Sequence, residues 1–541
     1  MIGITPADAG GDYDVVVAGS GAAGLVAALR AADAGLSVLV LEKAAKFGGT
    51  TAVSGGVMWA PCNHLMAAAG HPDSGADAAA YLAAAADGAM TDDEVGWYVR
   101  TAAEAVRYLD TRTRVSYRPL GRPDYHLDLP CAASGRGLDN EAFDPAGIPA
   151  LADSIRQPTY FPLISMAERD ALKGAPVDPE LLAERRTSGI RTIGGALVGA
   201  LLASALDRGI AVAAGARVTA LESGPDGWRL TVHGRRESIR ATSVVLATGG
   251  FEWNPDLRRA LLTFPVTPIG APSNEGDGLM LGLRAGAGLS DATAIWGVPV
   301  IAAPTHLYDG LPSGRMGNVE MTLPGSITVN AQGRRFVNEA LNYHDLVRVF
   351  ANVDPAGSRQ GNSPAWLVFD SDFLRKYSVA GSLPGRPEPW MTAAPTLAEL
   401  ARLIAVSSSG LAATVARFNA DAAVGTDSEF NRGASREDRH LGDPANKPNP
   451  CLAPLLTAPF YAVPIHAGVL GTAGGLKVSP AGQVLTPAGT AVVGLYAAGN
   501  CAASVFHGAY PGGGATLGSA ITRAYAIGGL LAAAGSPTSA R

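Results

Sequence analysis

Cysteine is scarce in this chain, which has 4 cysteines among 541 residues. No two of them form a C-x-x-C pair, so the sequence indicates neither a zinc site nor a redox-active disulfide. So few thiols in so long a chain also argue against a disulfide framework. We therefore expect no metal site in this protein.

Other absences narrow the class of function. The net charge is -6 and no Lys/Arg stripe is present, which argues against a nucleic-acid partner. No window of about 18 apolar residues predicts a membrane span. The first residues lack the charged and apolar segments of a secretory signal. We expect a cytoplasmic protein without stable membrane insertion.

Glycine, in contrast, is abundant, with 67 residues, and the first informative motif is built from it. The apolar run 15–17 predicts a buried parallel strand. A G-x-G-x-x-G motif follows that run directly, and an alanine-rich helix follows the motif. A second predicted strand, 37–41, ends at an acidic residue, Glu42. This is the pattern of a strand, a turn and a helix that bind a dinucleotide.

Each residue of the motif has a physical role. Gly19 permits the tight turn, Gly21 lets a pyrophosphate approach the backbone, and Gly24 lets helix and strand pack closely. The start of the helix offers N–H groups and a positive dipole end to phosphates. Glu42 can accept hydrogen bonds from a ribose. This motif fits NAD and FAD equally well.

A second glycine-rich loop, within 42–66, favours FAD because it can wrap the far end of a longer cofactor. With this loop the chain resembles the flavoprotein superfamily of fumarate reductase and succinate dehydrogenase. Ser54, Gly55, Gly56 and Trp59 resemble its steroid-dehydrogenase branch. Some members tether FAD through a histidine here, whereas 49–52 contain none. The resemblance therefore implies non-covalent FAD.

The remaining sequence predicts a chain that leaves the cofactor domain and returns to it. Alternation over 211–250 predicts a β-meander that ends in a buried strand. The pattern changes from about 300 to 455 and then returns to strand signals and a final helix. We expect an α/β fold: a Rossmann-like, glutathione-reductase-type FAD-binding domain, discontinuous in sequence, with an inserted α+β catalytic cap. The expected ranges are 1–300 and 456–541 for the FAD domain and 301–455 for the cap.

These motifs and the resemblance together give the candidate cofactor residues. They are Gly19, Gly21, Ala22, Ala23, Gly24, Glu42, Lys43, Gly49, Thr50, Thr51, Ser54, Gly55, Gly56, Val218, Ala247, Thr248, Gly249, Asp277, Gly499, Asn500, Ala515, Thr516 and Leu517.

The groups that bind dicarboxylates in fumarate and succinate enzymes are missing. Those enzymes place a histidine beside a glycine turn and an arginine after an R-F-x-x-E element. Here the element Arg335–Glu339 is followed by Ala-Leu-Asn-Tyr, and the turn 471–475 has no adjacent histidine. A dicarboxylate substrate is therefore disfavoured.

The same positions resemble the 3-ketosteroid delta-1-dehydrogenases, over nearly the full chain. "GRPDYHLDLP" places Tyr125 at an active-site tyrosine of that family, and "RRFVNEALNY" places Tyr343 at its proposed catalytic base. "AYPGGGATLG" places Tyr510 and Gly514 where the family binds the ketone oxygen. The substrate implied is a small hydrophobic, steroid-like ketone, and an external acceptor such as a quinone would reoxidise the flavin.

The resemblance implies desaturation beside a ketone. Tyr510 O–H and Gly514 N–H would stabilise developing enolate charge. Tyr343, helped by Tyr125, would remove the adjacent proton, and hydride would pass to flavin N5. We expect Met58, Trp296 and Phe506 to line an apolar pocket.

Departures from the family leave alternatives open. Gly512–Gly514 replace its usual Gly-Pro-Gly, and the proline expected before Tyr343 is absent. A delta-4 (5-alpha) ketosteroid dehydrogenase remains open, as does an enone or alkene reductase acting on a non-steroidal or dicarboxylate substrate. A flavin-bearing protein without chemistry of its own is a further possibility.

Overall fold

The computed structural model describes residues 11–172, 177–355 and 359–535, which form a mixed α/β protein. The strands are β1 Asp12–Ala18, β2 Val38–Leu41, β3 Met58–Trp59, β4 Tyr117–Pro119, β5 Gly137–Asn140, β6 Ala211–Ala213, β7 Val218–Gly224, β8 Gly227–Val232, β9 Ile239–Leu246, β10 Thr267–Pro268, β11 Ile295–Ile301, β12 Leu307–Tyr308, β13 Leu311–Pro312, β14 Arg315–Met316, β15 Ser326–Asn330, β16 Val353–Asp354, β17 Arg359–Gln360, β18 Ala365–Phe369, β19 Thr392–Ala394, β20 Phe460–Thr472, β21 Gln483–Leu485 and β22 Ala491–Ala497. The helices are α1 Ala22–Asp33, α2 Gly49–Val53, α3 Gly75–Ala86, α4 Asp92–Arg112, α5 Pro149–Ser154, α6 Met166–Leu172, α7 Pro179–Thr187, α8 Ile193–Asp207, α9 Pro255–Leu261, α10 Asp277–Arg284, α11 Asn318–Thr322, α12 Tyr343–Arg348, α13 Ser371–Lys376, α14 Leu397–Leu403, α15 Ser408–Val424 and α16 Ala515–Gly535.

The chain divides into two compact units, each assembled from separate parts of the sequence. Unit 1 contains residues 1–262, 270–295 and 471–541, and unit 2 contains 263–269 and 296–470. The chain therefore leaves unit 1 and returns to it, as a discontinuous domain does. The segment 301–455, which the sequence pattern marks as an insertion, lies within unit 2.

Unit 1 is built on an 8-stranded sheet with the strand order β21-β22-β9-β1-β2-β6, to which the β7–β8 hairpin is attached. The pairs β1–β2, β1–β9, β2–β6 and β9–β22 are parallel. Val15, Val16 and Val17 are buried, as a strand with helices on both faces requires. All these parallel strands end at the same edge of the sheet, where Gly19 and Glu42 follow β1 and β2.

Helices cover this sheet through close backbone contacts. A Cβ at Gly24 would lie 2.0 Å from Gly19 O, so only glycine lets α1 reach β1 at this distance. A Cβ at Gly528 in α16 would lie 2.1 Å from the Cβ of Arg30 in α1, so these two helices also cross closely. Within the described residues, the segment Ala515–Ala534 of α16 is the one helical stretch long and apolar enough to cross a membrane, and most of it is buried in the protein. That burial is the behaviour of a core helix.

Unit 2 contains a 7-stranded sheet with the order β14-β11-β20-β18-β15. Its other two strands, β10 and β19, both pair with β20. One apolar cluster on this sheet includes Leu367, Phe369 and Phe373. Another includes Val415 and Phe418 from α15. The sequence "SITVNAQGRRFVNEAL" (326–341) has the pattern of two strands with a turn at 331–333, but only β15 forms there. Across the turn, Val329 and Arg335 form an isolated bridge, and Asn330 N donates to Arg334 O at 3.0 Å.

The segment beyond β15 forms a buried ion cluster instead. Arg335 donates to both carboxylate oxygens of Glu339, at 2.9 and 2.6 Å, and to both of Asp427, at 2.9 and 2.8 Å. Arg432 approaches Glu339 at 3.3 Å. Burial opposes ionisation of Asp427, but the hydrogen bonds from Arg335 lower its pKa to about 2. The cluster connects the loop before α12 to the segment after α15.

We expect Asp427→Asn to lower the free energy of unfolding by about 3 kcal/mol or more, because Arg335 loses a buried charged partner. The contribution of Asp427 is present above its ordinary pKa of 3.8 and disappears as pH falls toward 2. Denaturant unfolding at neutral pH measures the change. Asp372→Asn is the control, since Asp372 pairs with Arg375 at an exposed position where the loss is about 0–1 kcal/mol. Equal effects of the two substitutions would show that the cluster adds nothing to stability.

Candidate active site

The candidate cofactor residues gather at the carboxyl edge of the unit 1 sheet. Gly19 follows β1, Glu42 follows β2, Ala247–Gly249 follow β9, and Gly499–Asn500 lie just beyond β22. In open parallel sheets, ligands bind at this edge. The topology therefore brings together four loops that are far apart in sequence.

The glycine turn after β1 has the geometry that a pyrophosphate site needs. Gly19 has φ +109°, and a Cβ there would lie 2.2 Å from Ala247 O. Gly21 is the N-cap of α1, and the nearest atom to a Cβ at this position would be Thr51 Oγ1 at 3.4 Å. The N–H of Ala22 donates to the same hydroxyl at 3.1 Å. The glycine turn thus leads directly into a helix start, where Ala23 and Gly24 follow and where the Thr51 hydroxyl is the neighbouring side chain.

Glu42 is held in place by protein donors. Its Oε2 accepts from Ser20 N at 3.1 Å and from Ser20 Oγ at 2.6 Å, and its Oε1 accepts from Ala44 N at 2.8 Å. Ser20 Oγ also accepts from Gly48 N at 2.9 Å. Ser20, the residue between the first two glycines of the motif, thus holds Glu42 and Gly48 in place. The glycine spacing alone does not indicate this structural role.

Lys43 lies in an ion-pair group with Glu275, just before α10, and Asp277, the first residue of α10. Its Nζ is 2.6 Å from Glu275 Oε2 and 3.1 Å from Asp277 Oδ2. Arg217 is 2.7 Å from Asp277 Oδ1. Val218 follows as the first residue of β7 and is buried. Sequence reasoning missed Arg217 and Glu275, because the pairing joins residues more than 50 positions apart.

The second glycine-rich loop forms α2 and packs against the first turn. Thr50 Oγ1 accepts from Ala271 N at 3.0 Å and from Asn274 Nδ2 at 2.8 Å. Ser54 Oγ donates to Thr51 O at 2.8 Å and accepts from Gly56 N at 3.1 Å. Gly49 is the first residue of α2, and a Cβ at Gly55 would lie 2.8 Å from Met166 Cε.

Thr248 and Gly249 anchor the loop after β9. Thr248 Oγ1 accepts from Gly278 N at 2.9 Å, which connects this loop to α10. Gly249 has φ +77°, and a Cβ there would lie 2.4 Å from Asn274 Oδ1. Asn274 therefore contacts both the Gly249 loop and Thr50.

Two of the three candidate tyrosines stack on each other in unit 1. The ring centroids of Tyr125 and Tyr510 are 5.7 Å apart and their planes differ by 11°. Tyr510 is 3% exposed, and its Oη lies 3.5 Å from Thr516 Oγ1. The Oη of Tyr125 would be 3.3 Å from a Cβ at Gly513. Both hydroxyls thus lie close to the segment 510–516.

Backbone hydrogen bonds fix this segment against the loop that carries Tyr125. Pro511 O accepts from Tyr125 N at 3.2 Å and also from the hydroxyl of Tyr81. Gly514 O accepts from Trp59 N at 3.1 Å. Tyr81 and the backbone of Trp59 were not among the sequence predictions, since no local pattern links them to a segment more than 400 residues away.

A buried polar chain supports the same segment from behind. Trp59 Nε1 donates to Asp124 Oδ1 at 2.9 Å, and Arg136 Nη1 donates to Asp124 Oδ2 at 2.7 Å. Arg136 also pairs with Asp73 at 2.8 Å. Burial raises the pKa of Asp124 despite the Arg136 charge. The indole of Trp59 then lies directly under Gly512, where a Cβ would be 2.7 Å from two of its atoms.

Gly514 stands at the start of α16 and presents a backbone donor. Its φ is +98°, and a Cβ there would lie 2.5 Å from Val57 O, so the position requires glycine. In the described part of the chain, no protein acceptor receives the N–H of Gly514, Thr516 or Leu517. Ala515 N donates to Gly512 O at 3.2 Å. The helix start thus offers unused donors and a positive dipole end.

Tyr343 belongs to unit 2, where it is the first residue of α12. Asn342 caps that helix by accepting from Asp345 N at 3.0 Å. The Tyr343 ring is partly buried against Ile269, Val298 and Val300. The next residue, His344, is buried, and its Nδ1 accepts from Gly297 N at 3.3 Å.

The three residues expected to line an apolar pocket are all buried. Met58 and Phe506 are buried in unit 1, where Phe506 packs against Trp59 and Tyr98, and Trp296 is buried in unit 2. Their place in a substrate pocket stays a prediction.

These features define a dinucleotide-binding flavoprotein of the parallel-sheet type. The glycine turn, the helix start at Gly21 and the acid at Glu42 have the form of a dinucleotide site, and with the second loop at Gly49–Gly56 beside them they fit FAD. The chain matches the family described as "FAD binding domain" over residues 14–517, and it belongs to that family.

Relatives and a solved structure agree with this assignment. The chain is 40% identical to a 4-oxocyclohexanecarboxylate 2-dehydrogenase of Sinomonas cyclohexanicum, over 96% of this chain and 93% of that protein. It is 35% identical to a 3-oxosteroid 1-dehydrogenase of Mycobacterium tuberculosis, over 95% of this chain and 97% of that protein. The structure of 3-ketosteroid delta1-dehydrogenase from Sterolibacterium denitrificans in complex with 1,4-androstadiene-3,17-dione matches with a TM-score of 0.89 and 33% identity, over 97% of this chain and 100% of that chain. The protein is an FAD-dependent oxidoreductase acting on CH–CH groups.

We expect Gly512→Ala to destabilise the protein by about 1–3 kcal/mol, because the new methyl group would overlap the Trp59 indole. The same change should displace Tyr510 and reduce turnover. Thermal unfolding and steady-state flavin reduction measure the two effects. Gly75→Ala is the matched control, since no atom lies within 4 Å of a Cβ at Gly75, the first residue of α3. If Gly512→Ala behaves like Gly75→Ala, the contact with Trp59 does not constrain the segment.

Proposed function

We propose that this enzyme desaturates the carbon–carbon bond next to the ketone of a cyclic ketone, with FAD bound non-covalently. The observation that carries the proposal is the arrangement of Tyr510 and Gly514. A buried phenol stacks on Tyr125 and lies beside a helix start at which, in the described residues, the N–H groups of Gly514, Thr516 and Leu517 have no protein acceptor. That combination suits one oxygen atom that gains negative charge during a reaction.

FAD, when bound, supplies the hydride acceptor. The residues that would hold it are the glycine turn and α1 start at the pyrophosphate, Glu42 at a ribose, and the Gly49–Gly56 loop with Thr248 farther along the cofactor. The sequence 49–52 has no histidine for a covalent tether. The protein must therefore supply orientation and proton transfer, whereas oxidation belongs to the cofactor.

The first step for the protein is to polarise the ketone. Tyr510 O–H and Gly514 N–H donate to the ketone oxygen and stabilise it as negative charge develops. Thr516 Oγ1, 3.5 Å from Tyr510 Oη, helps to orient the phenol hydrogen. Each such donor typically lowers the barrier by about 3–4 kcal/mol.

The second step is removal of the proton on the carbon beside the ketone. We assign this to Tyr343, which the sequence "RRFVNEALNY" places at the family's base, with Tyr125 assisting. A tyrosine normally has a pKa near 10, so its role as base requires surroundings that favour the phenolate. Hydride then leaves the next carbon, which completes the double bond.

The substrate class rests on the relatives. The 3-oxosteroid relatives support a steroid-like ketone, while the 40% identity to the 4-oxocyclohexanecarboxylate dehydrogenase favours a single oxo-substituted ring. Both substrates have a six-membered cyclic ketone, which is the part that the tyrosine and glycine donors address. An external acceptor such as a quinone and a cytoplasmic location complete the proposal.

Replacing the phenols tests the residue roles. We expect Tyr510→Phe to lower turnover about 10²- to 10³-fold by removing one donor to the oxygen. Tyr343→Phe should lower it about 10²- to 10⁴-fold by removing the base. Both variants should keep the FAD absorbance spectrum, since neither residue is among the cofactor candidates. Tyr13→Phe serves as a control for loss of a phenol far from these segments. Unchanged turnover in both variants would remove the tyrosine mechanism.

Anaerobic mixing tests the reaction and the substrate together. FAD-loaded enzyme is mixed with 4-oxocyclohexanecarboxylate, with a 3-oxosteroid and, as a control, with succinate. The proposal predicts that flavin absorbance bleaches with at least one of the cyclic ketones and not with succinate. The faster ketone identifies the substrate class. Bleaching by succinate alone, or by none of the three, would contradict the proposal.

A further inference from the structure

One buried carboxyl group in unit 1 has no role in the proposed reaction. Glu252 lies in the loop after β9 and its side chain is 0% exposed. Its Oε1 accepts from Asn274 Nδ2 at 2.7 Å. Within the described residues, Oε2 has no hydrogen-bond partner. An ionised carboxylate in such a position would be costly, since burying an unpaired charge is among the largest penalties in proteins.

Glu252 stands at the junction of the loops that carry the candidate cofactor residues. Asn274, its donor, also donates to Thr50 Oγ1 in α2 at 2.8 Å. A Cβ at Gly250 would lie 2.4 Å from both Glu252 Oε2 and Thr472 Oγ1, so these two oxygens face the same point. Thr472 Oγ1 in turn donates to Asn500 O at 3.3 Å. Hydrogen bonds thus connect Thr50 to Glu252 through Asn274, and Thr472, which faces the same point as Glu252 Oε2, is bonded to Asn500.

The charged surroundings of Glu252 are sparse. Arg258, on α9, is the positively charged side chain whose field acts on it, and that field lowers its pKa only weakly. The other groups that lower its pKa are neutral: the side chain of Asn274 and the backbone groups of Glu252 itself and of Thr472. Burial therefore dominates, and it raises the pKa of Glu252 from its ordinary 4.5 to about 7.

We propose that Glu252 is a positioning residue of the FAD site that connects the Thr50, Gly250 and Asn500 loops, and that, in those molecules in which it is ionised, it takes up a proton from solvent when the bound flavin is reduced. The proposal rests on FAD occupying this edge of the sheet and is independent of the substrate. Hydride transfer to FAD adds one negative charge to the site. A neutral Glu252 accommodates that charge, whereas an ionised one would repel it. No bond forms between Glu252 and the cofactor.

Protonation of Glu252 stabilises the folded protein at low pH. The raised pKa means that the folded protein binds the proton more tightly than the unfolded chain does. The stabilisation is therefore fully present below pH 4.5 and is lost as the pH rises to about 7. A glutamine at this position keeps the size and the contact with Asn274 but cannot titrate.

The midpoint potential of bound FAD, measured against pH by dye equilibration, tests the proposal. In the wild type we expect a change of slope near neutral pH, because Glu252 changes its protonation there. Glu252→Gln should bind FAD and show no such change of slope. Glu222→Gln, at an exposed position on β7, is the control for loss of one carboxylate and should keep the wild-type profile. A Glu252→Gln profile identical to the wild type would overturn the proposal.

Two further measurements separate positioning from a merely structural role. The melting temperature of the wild type should fall relative to that of Glu252→Gln as the pH rises from 5 to 8. Glu252→Ala should lose FAD affinity that Glu252→Gln retains. Should Glu252→Gln fail to fold, the infrared difference spectrum of the wild type on flavin reduction decides. Gain of a protonated carboxyl band at pH 8 supports proton uptake, and its absence overturns it.

Discussion

The structure depends on contacts between backbone segments that lie so close together that no side chain fits between them. Gly24 approaches the carbonyl of Gly19 in this way, which brings the start of α1 to the end of β1. Gly514 approaches the carbonyl of Val57, which brings the start of α16 to the loop beside Trp59. Both contacts place the N-terminus of a helix at the same edge of the parallel sheet. In the proposed function, the first would supply donors to a pyrophosphate, and the second would supply donors to an oxygen that gains charge.

The two ends of this edge are supported by different physical means. At the nucleotide end, short hydrogen bonds from Ser20 and Ala44 hold Glu42 in place. Near Tyr510, a buried hydrogen-bonded chain of Arg136, Asp124 and Trp59 lies against Gly512. A buried ionic group is expensive to desolvate and tolerates little displacement of its partners. This hydrogen-bonded chain therefore restricts movement of the segment that carries Tyr510 more than apolar packing alone would.

The sequence predicted those parts of the fold and site that depend on local patterns. The run 15–17, the glycine spacing and the acid at 42 identify β1, α1 and β2, because each is encoded within a few residues. The tyrosines came from a resemblance, since nothing local distinguishes Tyr510 from other tyrosines; their catalytic roles stay predictions. Long-range contacts were not predictable: Tyr81 reaches Pro511 across 430 positions, and Arg335 meets Asp427 across 92. The periodicity after β15 was misleading because a charge cluster, rather than a strand partner, satisfies Arg335 and Glu339.

The central proposal for this enzyme is that Tyr510 and Gly514, at the start of α16, hold one ketone oxygen. A crystal structure of the FAD-loaded enzyme with a bound cyclic ketone tests this most directly. The account predicts that the ketone oxygen lies about 3 Å from both Tyr510 Oη and Gly514 N. A ketone oxygen bound by other donors, with Tyr510 and Gly514 out of hydrogen-bond reach, would contradict it.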